Sequence, residues 1–249
     1  IKIFKNLYRE NYIMMQNESP LEIYSSLEQV WPDNNKWYNY THKVIVQFIE
    51  NELTPKLNKT STILNAGSGG SVYNIPGIFY HVDIAENLIK NLPRHYVASI
   101  ENLPFDKNIF DSIICVGSVI NYCSALECIM ELIRTLKPGG YMVLEFERSN
   151  TAELWFNKDY GKKVTMQNYK YLNHIHTLWL YSEQYVRDVL SQNHIIVLKT
   201  KRFHNLSAFI NRLFEDEEMS GKFSRYDFLF NPFSRFMAHN VILLCTKQK

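Results

Sequence analysis

The chain has 249 residues, of which 46% are hydrophobic and 21% are charged, and its formal net charge at pH 7 is +2. This composition is typical of a globular protein with one large α/β domain or two small ones. The small net charge gives no electrostatic reason to expect a nucleic-acid or membrane partner. The longest apolar runs, 109–120 and 141–146, are too short to span a bilayer.

Residues 1–60 are predicted to form a helical lid ahead of the main domain. A helix is expected over 20–30, because Ser19 is a good N-cap and Pro20 suits the first helical position. A second helix is expected over 41–53, where apolar residues recur with a helical period.

The segment between these helices, 31–40, is rich in turn-forming residues and large rings. It is interpreted either as a loop whose rings pack on the domain or as a cover over a ligand pocket. The second interpretation makes Trp37, Tyr38 and Tyr40 candidates for substrate binding.

From residue 61 onward, apolar runs of strand and helix length alternate as in an α/β protein. The expected strands cover 62–66, 79–83, 96–99, 112–116, 141–146, 195–201 and 240–246. The expected helices cover 85–92, 125–136 and 183–191, with a turn at 137–140. The main domain is therefore predicted to span 61–249, with insertions at about 147–181 and 203–239.

A Gly-rich turn follows the first expected strand, and an acidic residue ends the second. Gly67 and Gly69 lack a Cβ, so the backbone can turn sharply and its N–H groups can approach a ligand. Asp83 stands where a carboxylate can accept hydrogen bonds from a ribose diol. The pair predicts a nucleotide-type site; the alternatives are a plain tight turn and a helix cap.

The four cysteines are Cys115, Cys123, Cys128 and Cys245, and they have no metal-ligand spacing in the sequence. We therefore expect no metal site. Cys115 and Cys245 lie in apolar runs, where a free cysteine behaves as a small hydrophobe. The first residues also lack the apolar core of a secretory signal, so a reduced, cytoplasmic protein is expected.

Four local patterns follow one another in the expected α/β segment. They are Ile-Leu-Asn-Ala-Gly-Ser-Gly at 63–69, His-Val-Asp-Ile-Ala at 81–85, Glu-Asn-Leu-Pro-Phe at 101–105 with Ile-Phe-Asp-Ser-Ile-Ile at 109–114, and Leu-Ile-Arg-Thr-Leu-Lys-Pro-Gly-Gly-Tyr at 132–141. With these patterns the chain resembles a class I S-adenosylmethionine-dependent methyltransferase of the small-molecule, type 11-like group. The resemblance is good over 61–147 and loose over 182–249.

The resemblance implies a doubly wound, Rossmann-like, mostly parallel seven-stranded sheet in the order 3-2-1-4-5-7-6, with strand 7 antiparallel. It also implies S-adenosylmethionine as the cofactor. The residues implied to hold it are Asn65, Ala66, Gly67, Ser68, Gly69, Asp83, Ile84, Ser99, Ile100, Glu101, Gly117 and Ser118. Glu101 is interpreted equally well as a solvated or capping carboxylate.

The chain departs from the family pattern at three positions. Asn65 and Ser99 stand where the family usually has acids, and Ser71 replaces the third glycine of the loop. The interval 67–83 is also short and contains Pro76, so the first helix is expected to be a single turn or missing. These changes predict weaker cofactor binding or an inactive protein, although hydroxyl and amide groups keep their hydrogen-bonding capacity.

Candidates for binding the acceptor come from segments that the core fold does not explain. Asn121 and Tyr122 directly follow the fourth strand, where they either face the acceptor or pack at a helix start. Tyr181 ends the aromatic-rich insertion 147–181. The insertion 203–239 has an acidic run, expected to be a solvated helix face, and rings that form a pocket wall or a subunit contact. A homodimer is therefore a further expectation.

Two histidines of the first insertion, His174 and His176, are the candidate catalytic residues. On a strand, residues two apart share a face, and an imidazole there could act as a general base near neutral pH. The alternative is a structural pair of histidines. A metal pair is also compatible with the spacing, but the sequence shows no third ligand.

The expected function is transfer of a methyl group from S-adenosylmethionine to a small or medium-sized, partly apolar acceptor. Such a transfer is an in-line displacement at oxygen, nitrogen or carbon that depends mainly on alignment. A catalytically inactive, methyltransferase-like interaction protein is the alternative that the three departures suggest. An RNA methyltransferase is less expected, because the Asn/Asp-Pro-Pro-aromatic signature is missing after the fourth strand. A nicotinamide-dependent oxidoreductase shares the loop-and-acid pattern, but the other family patterns favour methyl transfer.

Overall fold

The computed structural model describes residues 19–171 and 174–249. The strands are β1 (Thr62–Ala66), β2 (Ile78–Asp83), β3 (His95–Val97), β4 (Phe110–Cys115), β5 (Leu136–Glu147), β6 (Val164–Tyr171), β7 (His174–Tyr181), β8 (Ile195–Phe203) and β9 (Asn240–Lys247). The α-helices are α1 (Pro20–Ser25), α2 (Lys36–Leu53), α3 (Glu86–Ile89), α4 (Ala125–Thr135), α5 (Glu183–Gln192), α6 (Leu206–Phe214), α7 (Glu217–Gly221) and α8 (Ser234–Met237). Shorter 3-10 segments are Thr54–Lys56, Val119–Tyr122, Ala152–Leu154 and Ser224–Phe233. Within these two ranges no helix combines the length and the apolarity needed to cross a membrane.

Seven of these strands form one sheet in the order β3-β2-β1-β4-β5-β9-β8. Strands β1 to β5 run parallel, whereas β9 is antiparallel to both β5 and β8. Strands β6 and β7 form a separate antiparallel hairpin in which Val164 pairs with Tyr181. The strand order and the reversed strand confirm the predicted doubly wound sheet.

Side chains of β1 alternate between two buried apolar layers, one on each face of the sheet. Leu64 belongs to the layer that contains Leu132 of α4 and Leu190 of α5, and Ile63 to the layer that contains Ile45 of α2. Helix α2 therefore contributes to the core as well as to the region above the sheet. The division of the chain at residue 60 stays a prediction.

The first helix is shorter than predicted, because α1 ends at Ser25. The Oγ of Ser26 donates to the carbonyl of Ile23 at 2.7 Å, a local side-chain bond that competes with further helical turns. The chain then runs toward the Gly-rich turn, where Nε1 of Trp31 donates to Oγ of Ser71 at 3.1 Å. This segment covers the end of the sheet.

The predicted loop at 31–40 is wrong in its second half, because α2 begins at Lys36. Asn35 is the N-cap, and its Oδ1 accepts hydrogen bonds from the backbone N–H groups of Trp37 (2.9 Å) and Tyr38 (3.3 Å). These two rings therefore lie on the first helical turn, which gives them fixed positions above the sheet.

The predicted turn at 137–140 is instead an irregularity inside β5. The register between β4 and β5 jumps from Phe110 opposite Leu136 to Ser112 opposite Tyr141, so the extra residues bulge out of the ladder. The Pro-Gly-Gly sequence suits such a bulge as well as it suits a turn.

Glu145 of β5 is fully buried and fixes the turn that follows β4. Its Oε2 accepts hydrogen bonds from the N–H groups of Gly117 and Ser118, each at 2.8 Å, and its Oε1 accepts one from Nδ2 of Asn240 at 2.8 Å. Burial raises the pKa of Glu145 to about 7 in spite of these bonds, and the charge of Glu147 acts in the same direction.

The raised pKa makes the contribution of Glu145 to stability depend on pH. The folded state binds this proton more tightly than the unfolded state, so the contribution is present below the ordinary pKa of 4.5 and is lost as the pH rises to about 7. Relative to Glu145→Gln, the wild type should lose stability of the order of 3 kcal/mol across this window. Urea unfolding of both proteins at several pH values measures the difference, and a difference that stays constant with pH would contradict the assignment. The exposed Glu218→Gln variant should follow the wild type.

Arg148, directly after β5, is 1% exposed and anchors helix α8. Its Nη1 donates to the carbonyls of Ser234 (3.1 Å) and Ala238 (3.2 Å), and its Nη2 donates to that of Arg235 (2.6 Å). Its Nε lies 3.5 Å from Oε2 of Glu183. The carbonyls in the last turn of a helix are short of intrahelical partners, and here the guanidinium bonds those of Arg235 and Ala238 and shares that of Ser234 with the N–H of Ala238.

Replacing this guanidinium should make the protein easier to unfold. We expect Arg148→Met to lower the free energy of unfolding by roughly 3–5 kcal/mol, because buried polar groups lose their charged partner. Denaturant titration measures the change, with the exposed Arg212→Met of α6 as the control. A loss below about 1 kcal/mol, the size expected of a surface substitution, would be inconsistent with the anchoring role.

Candidate active site

A cavity of about 330 Å³ lies at the carboxyl edge of the parallel strands. Its walls are the turns after β1, β2 and β4, and it is covered by parts of 19–31 and the first turn of α2. Doubly wound sheets bind ligands at this edge, at the point where the strand order reverses, which here lies between β1 and β4.

The turn after β1 has a left-handed backbone at three glycines, Gly67 (φ 66°), Gly69 (φ 52°) and Gly70 (φ 80°). A Cβ at Gly67 would lie 2.4 Å from Cγ1 of Val119, and one at Gly69 would lie 2.6 Å from Cγ2 of Val30. The close packing and the positive φ together require glycine at both positions. Gly67 and Gly69 both line the cavity, as does Ser68 between them.

Asn65 supports this turn from inside the sheet. Its Nδ2 donates to the carbonyl of Ser71 at 2.9 Å and to Oγ of Ser68 at 3.2 Å. Asn65 and Ala66 are both buried in β1 and do not line the cavity. Their predicted contact with a cofactor stays a prediction, whereas the support of the turn is a role that the sequence did not suggest.

Asp83, at the end of β2, is bonded directly to the Gly-rich turn. Its Oδ2 accepts from the N–H of Gly69 at 2.7 Å, and its Oδ1 accepts from the N–H of Ala85 at 3.0 Å. Burial raises the pKa of the carboxyl, and the backbone N–H groups partly counter this. Asp83 and Ile84 both line the cavity. The two parts of the predicted nucleotide-type site are therefore adjacent.

The three residues predicted to contact an adenine, Ser99, Ile100 and Glu101, also line the cavity. The Oγ of Ser99 accepts from the N–H of Glu101 at 3.1 Å. The Oε1 of Glu101 accepts at 2.9 Å from the N–H of Ser124, which is the N-cap of α4. This bond supports the capping interpretation of Glu101.

The turn after β4 brings Gly117 and Ser118 to the cavity. The backbone N–H of Ser118 donates to Glu145, as described above. The hydroxyl of Ser118 also donates to Oε1 of Glu147 at 3.0 Å. Ser118 has a left-handed backbone (φ 60°), which these bonds to β5 hold in place.

Three of the predicted acceptor contacts, Trp37, Tyr38 and Tyr122, line the cavity. Sequence reasoning missed Tyr24, which also lines it and whose hydroxyl donates to that of Tyr122 at 3.0 Å. Tyr24 lies in the helix predicted over 20–30, where no local pattern distinguished it as a site residue.

The other three predicted acceptor contacts have bonds within the scaffold, and none of them lines the cavity. Asn121 donates to backbone carbonyls of both β5 and β7. The hydroxyl of Tyr181 donates to the carbonyl of Cys123 at 2.6 Å. The ring of Tyr40 lies edge-on to that of His204, with the centroids 5.2 Å apart.

The two histidines proposed as catalytic residues lie on β7. His176 is buried, and its Nε2 lies 3.3 Å from the hydroxyl of Tyr122. The Nε2 of His174 lies 3.4 Å from Oγ of Ser26, next to α1. His176 therefore stands near the cavity wall, whereas His174 contacts the covering segment.

A second cavity of about 50 Å³, called here the acidic chamber, adjoins the first. Its lining residues are Trp37, Tyr38, Tyr122, Glu147, Glu153, Tyr169, His176, Leu178, Glu217 and His239. The residues that line both cavities are Trp37, Tyr38, Tyr122 and Glu147. The sequence did not single out Glu153, Glu217 or His239 as site residues, whereas Tyr169 belongs to the aromatic-rich insertion that was expected on the acceptor side.

His239 lies between two carboxylates of the acidic chamber. Its Nδ1 is 3.1 Å from Oε2 of Glu153, and its Nε2 is 3.3 Å from Oε2 of Glu147. Burial disfavours the charged ring, but the two carboxylates outweigh this and hold the pKa of His239 well above its usual value. Burial alone would raise the pKa of Glu153, but the charge of the His239 imidazolium outweighs this effect and lowers the pKa of the carboxyl.

Glu217 faces inward, so the prediction of a solvated acidic run is wrong at this residue. The hydroxyl of Tyr38 donates to its Oε2 at 2.9 Å, and burial raises its pKa to about 7. Helix α7, which carries it, packs very closely on the start of α2. A Cβ at Gly221 would lie 2.4 Å from the backbone N of Trp37.

Part of this chamber had a signal in the sequence. Glu147 ends β5 and His239 directly precedes β9, which is antiparallel, so both stand at the carboxyl edge where ligands bind. Glu153 and Glu217 belong to the insertions, and no local pattern predicts where an insertion packs.

Donor atoms of Glu101, Cys123 and Cys128 lie within 4.8 Å of one another, a grouping that the cysteine spacing did not reveal. The hydrogen bond with Cys123 and burial raise the pKa of the Cys128 thiol well above its usual value. A thiol held in its protonated form is a poor metal ligand. Glu101 is also engaged with the start of α4.

Part of the chain is similar in sequence to known proteins. Residues 64–144 match the methyltransferase-domain family. A 2-phytyl-1,4-naphtoquinone methyltransferase of Nostoc punctiforme is 27% identical over 152 residues, which cover 53% of this chain and 66% of that protein. An uncharacterized protein of Methanocaldococcus jannaschii is 31% identical over 113 residues, which cover 43% of this chain and 50% of that protein. The chain thus spans between half and two thirds of the curated relatives it matches.

Among solved structures, the 1,6-didemethyltoxoflavin-N1-methyltransferase of Burkholderia thailandensis, bound to 1,6-didemethyltoxoflavin and S-adenosylhomocysteine, has the same fold. The superposition has a TM-score of 0.55 at 11% identity and covers all of this chain and 90% of that one. Together with the strand order and the position of the cavity, this likeness shows that the chain has the Rossmann-like methyltransferase fold, and the sequence match to the methyltransferase-domain family extends over residues 64–144.

Proposed function

We propose that this protein transfers the methyl group of S-adenosylmethionine to a small-molecule acceptor. The observation that carries the proposal is that 67–69, Asp83, 99–101 and 117–118 line one cavity. In this arrangement Asp83 binds the ribose hydroxyls and 99–101 contact the adenine. The turns at 67–69 and 117–118 then face the methionyl part and the sulfonium.

The residues present fit this ligand in size and in chemistry. A cavity of about 330 Å³ lies in the range of small-molecule sites. The carboxylate of Asp83 accepts two backbone N–H groups, and its remaining lone pairs leave acceptors for a diol. Asn65 supports the turn through hydrogen bonds to Ser68 and Ser71. Its lack of charge therefore weakens cofactor binding less than the replacement of the family's usual acid suggests.

When bound, the cofactor supplies a methyl carbon activated by the sulfonium charge. The chain then needs to align the acceptor and exclude water, which are its main contributions to an in-line displacement. Glu145 fixes the turn at 117–118, which forms the wall on the sulfonium side. Tyr24, Trp31 and Tyr38 cover the cavity from the side of the N-terminal helices.

The comparisons support a small-molecule acceptor. The Nostoc relative is named for a substituted naphthoquinone, and the Burkholderia structure holds a small heterocycle. The cavity and the chamber next to it are likewise of a size for a small molecule rather than a polymer.

Binding of the product cofactor tests this function. Isothermal titration calorimetry with S-adenosylhomocysteine should show saturable binding to the wild type. Asp83→Ala should weaken it by roughly 10- to 100-fold, the loss expected when hydrogen bonds to a charged group are removed. Part of that loss comes from the Gly-rich turn, because the substitution also removes the hydrogen bond between Asp83 and the N–H of Gly69.

The matched control is Asp106→Ala, which removes an exposed aspartate outside the cavity. It should bind S-adenosylhomocysteine as the wild type does. An absence of binding at millimolar ligand would overturn the proposed function. Unchanged affinity in Asp83→Ala would overturn the ribose assignment.

A further inference from the structure

The acidic chamber carries an excess of negative charge. Three carboxylates, those of Glu147, Glu153 and Glu217, line it, and His239 is the basic residue that the pKa shifts show to be charged there. Burial raises the pKa of Glu217, and the charges of Glu153 and Glu147 act in the same direction, although the Tyr38 hydroxyl and the His239 imidazolium oppose them. A buried site of this kind favours a ligand that brings positive charge.

Two polar atoms of the chamber make ion-pair contacts but no well-aligned hydrogen bond. Oε2 of Glu147 and Nδ1 of His239 are buried and, among the residues that the structure describes, have no hydrogen-bond partner. Nε2 of His239 lies close to Oε2 of Glu147, and Nδ1 of His239 lies close to Oε2 of Glu153, but neither of these ionic contacts is aligned as a hydrogen bond. The side chain of His239 is 5% exposed, so this atom belongs to the chamber wall and not to the surface.

The rest of the wall also suits a cation. Trp37, Tyr38, Tyr122 and Tyr169 contribute aromatic rings to the chamber, and such rings stabilise ammonium groups. Three of them, Trp37, Tyr38 and Tyr122, also line the main cavity, together with Glu147. A group bound in the chamber is therefore next to the cavity proposed for the cofactor.

We propose that the acidic chamber is the acceptor site and that it binds a protonated amine, which makes the chain an N-methyltransferase. This inference rests on the proposed function and specifies its substrate class. The ammonium group lies among the carboxylates of Glu147, Glu153 and Glu217. A neutral hydroxyl would leave the excess charge uncompensated, and an anionic phenolate or carboxylate would be repelled.

The reaction follows from this placement. The ammonium first gives one proton to the carboxylate of Glu217, which leaves a neutral amine with a free lone pair. That lone pair forms the new N–C bond to the methyl carbon of S-adenosylmethionine as the S–C bond breaks and its electrons go to sulfur. The products are the N-methylammonium and S-adenosylhomocysteine. The pKa of Glu217, raised to about 7 by burial, suits a group that must accept and release a proton.

Ligand-observed NMR titration of the wild type, saturated with S-adenosylhomocysteine, tests the inference with two matched probes, benzylamine and benzyl alcohol. The amine should bind at least about tenfold more tightly than the alcohol, because the two probes differ mainly in the positive charge that the carboxylates attract. Glu147→Gln and Glu153→Gln keep the side-chain shape and should reduce this preference to about twofold or less. Thermal unfolding confirms that each variant is folded.

The matched control is Glu218→Gln, because Glu218 neighbours Glu217 on α7 but is exposed. It should keep the full preference for the amine. Equal binding of the two probes, tighter binding of the alcohol, or no binding of benzylamine at millimolar concentration would overturn the inference. Binding of S-adenosylhomocysteine itself is measured separately, so its failure would reject the proposed function and not the charge preference of the chamber.

Discussion

The hydrogen bond from the N–H of Gly69 to the carboxylate of Asp83 holds the candidate site together. It joins the turn after β1 to the end of β2, and both ends of the bond line the cavity. The bond forms only because the turn takes a left-handed backbone that leaves no room for side chains. Most of the remaining site, from 99–101 to 117–118, is arranged around these two elements by the parallel sheet.

Two acids on β5, Glu145 and Glu147, extend this arrangement toward the acidic chamber. Glu145 faces the turn after β4, and Glu147, two residues later on the same face of the strand, reaches the acidic chamber. Ser118 bonds to both acids, through its N–H and its hydroxyl. The wall of the main cavity and the wall of the acidic chamber are therefore parts of one hydrogen-bonded unit.

The sheet could be predicted from the sequence, because the local patterns between β1 and β5 are strong and the family that they resemble implies the strand order. Most of the residues predicted to hold the cofactor line one cavity, and their role there stays a prediction. The start of α2 was missed because Asn35 lies in a run of rings and turn formers that obscured its capping role. Glu153 and Glu217 were missed because their positions depend on how the insertions pack, which only tertiary contacts decide. Asn65 was correctly recognised as unusual, but its bonds to the turn needed coordinates.

The close approach of α7 to α2 has a consequence for how the protein could change its substrate range. Glycine at 221 lets the two backbones touch, and Glu217, one turn earlier, then meets Tyr38 on the opposite side of the chamber. Any larger residue at 221 would push the helices apart and move the carboxylate away from the phenol. The residue at 221 thus sets the spacing of α2 and α7 on the two sides of the chamber and, with the chamber as the proposed acceptor site, the girth of the acceptor that fits.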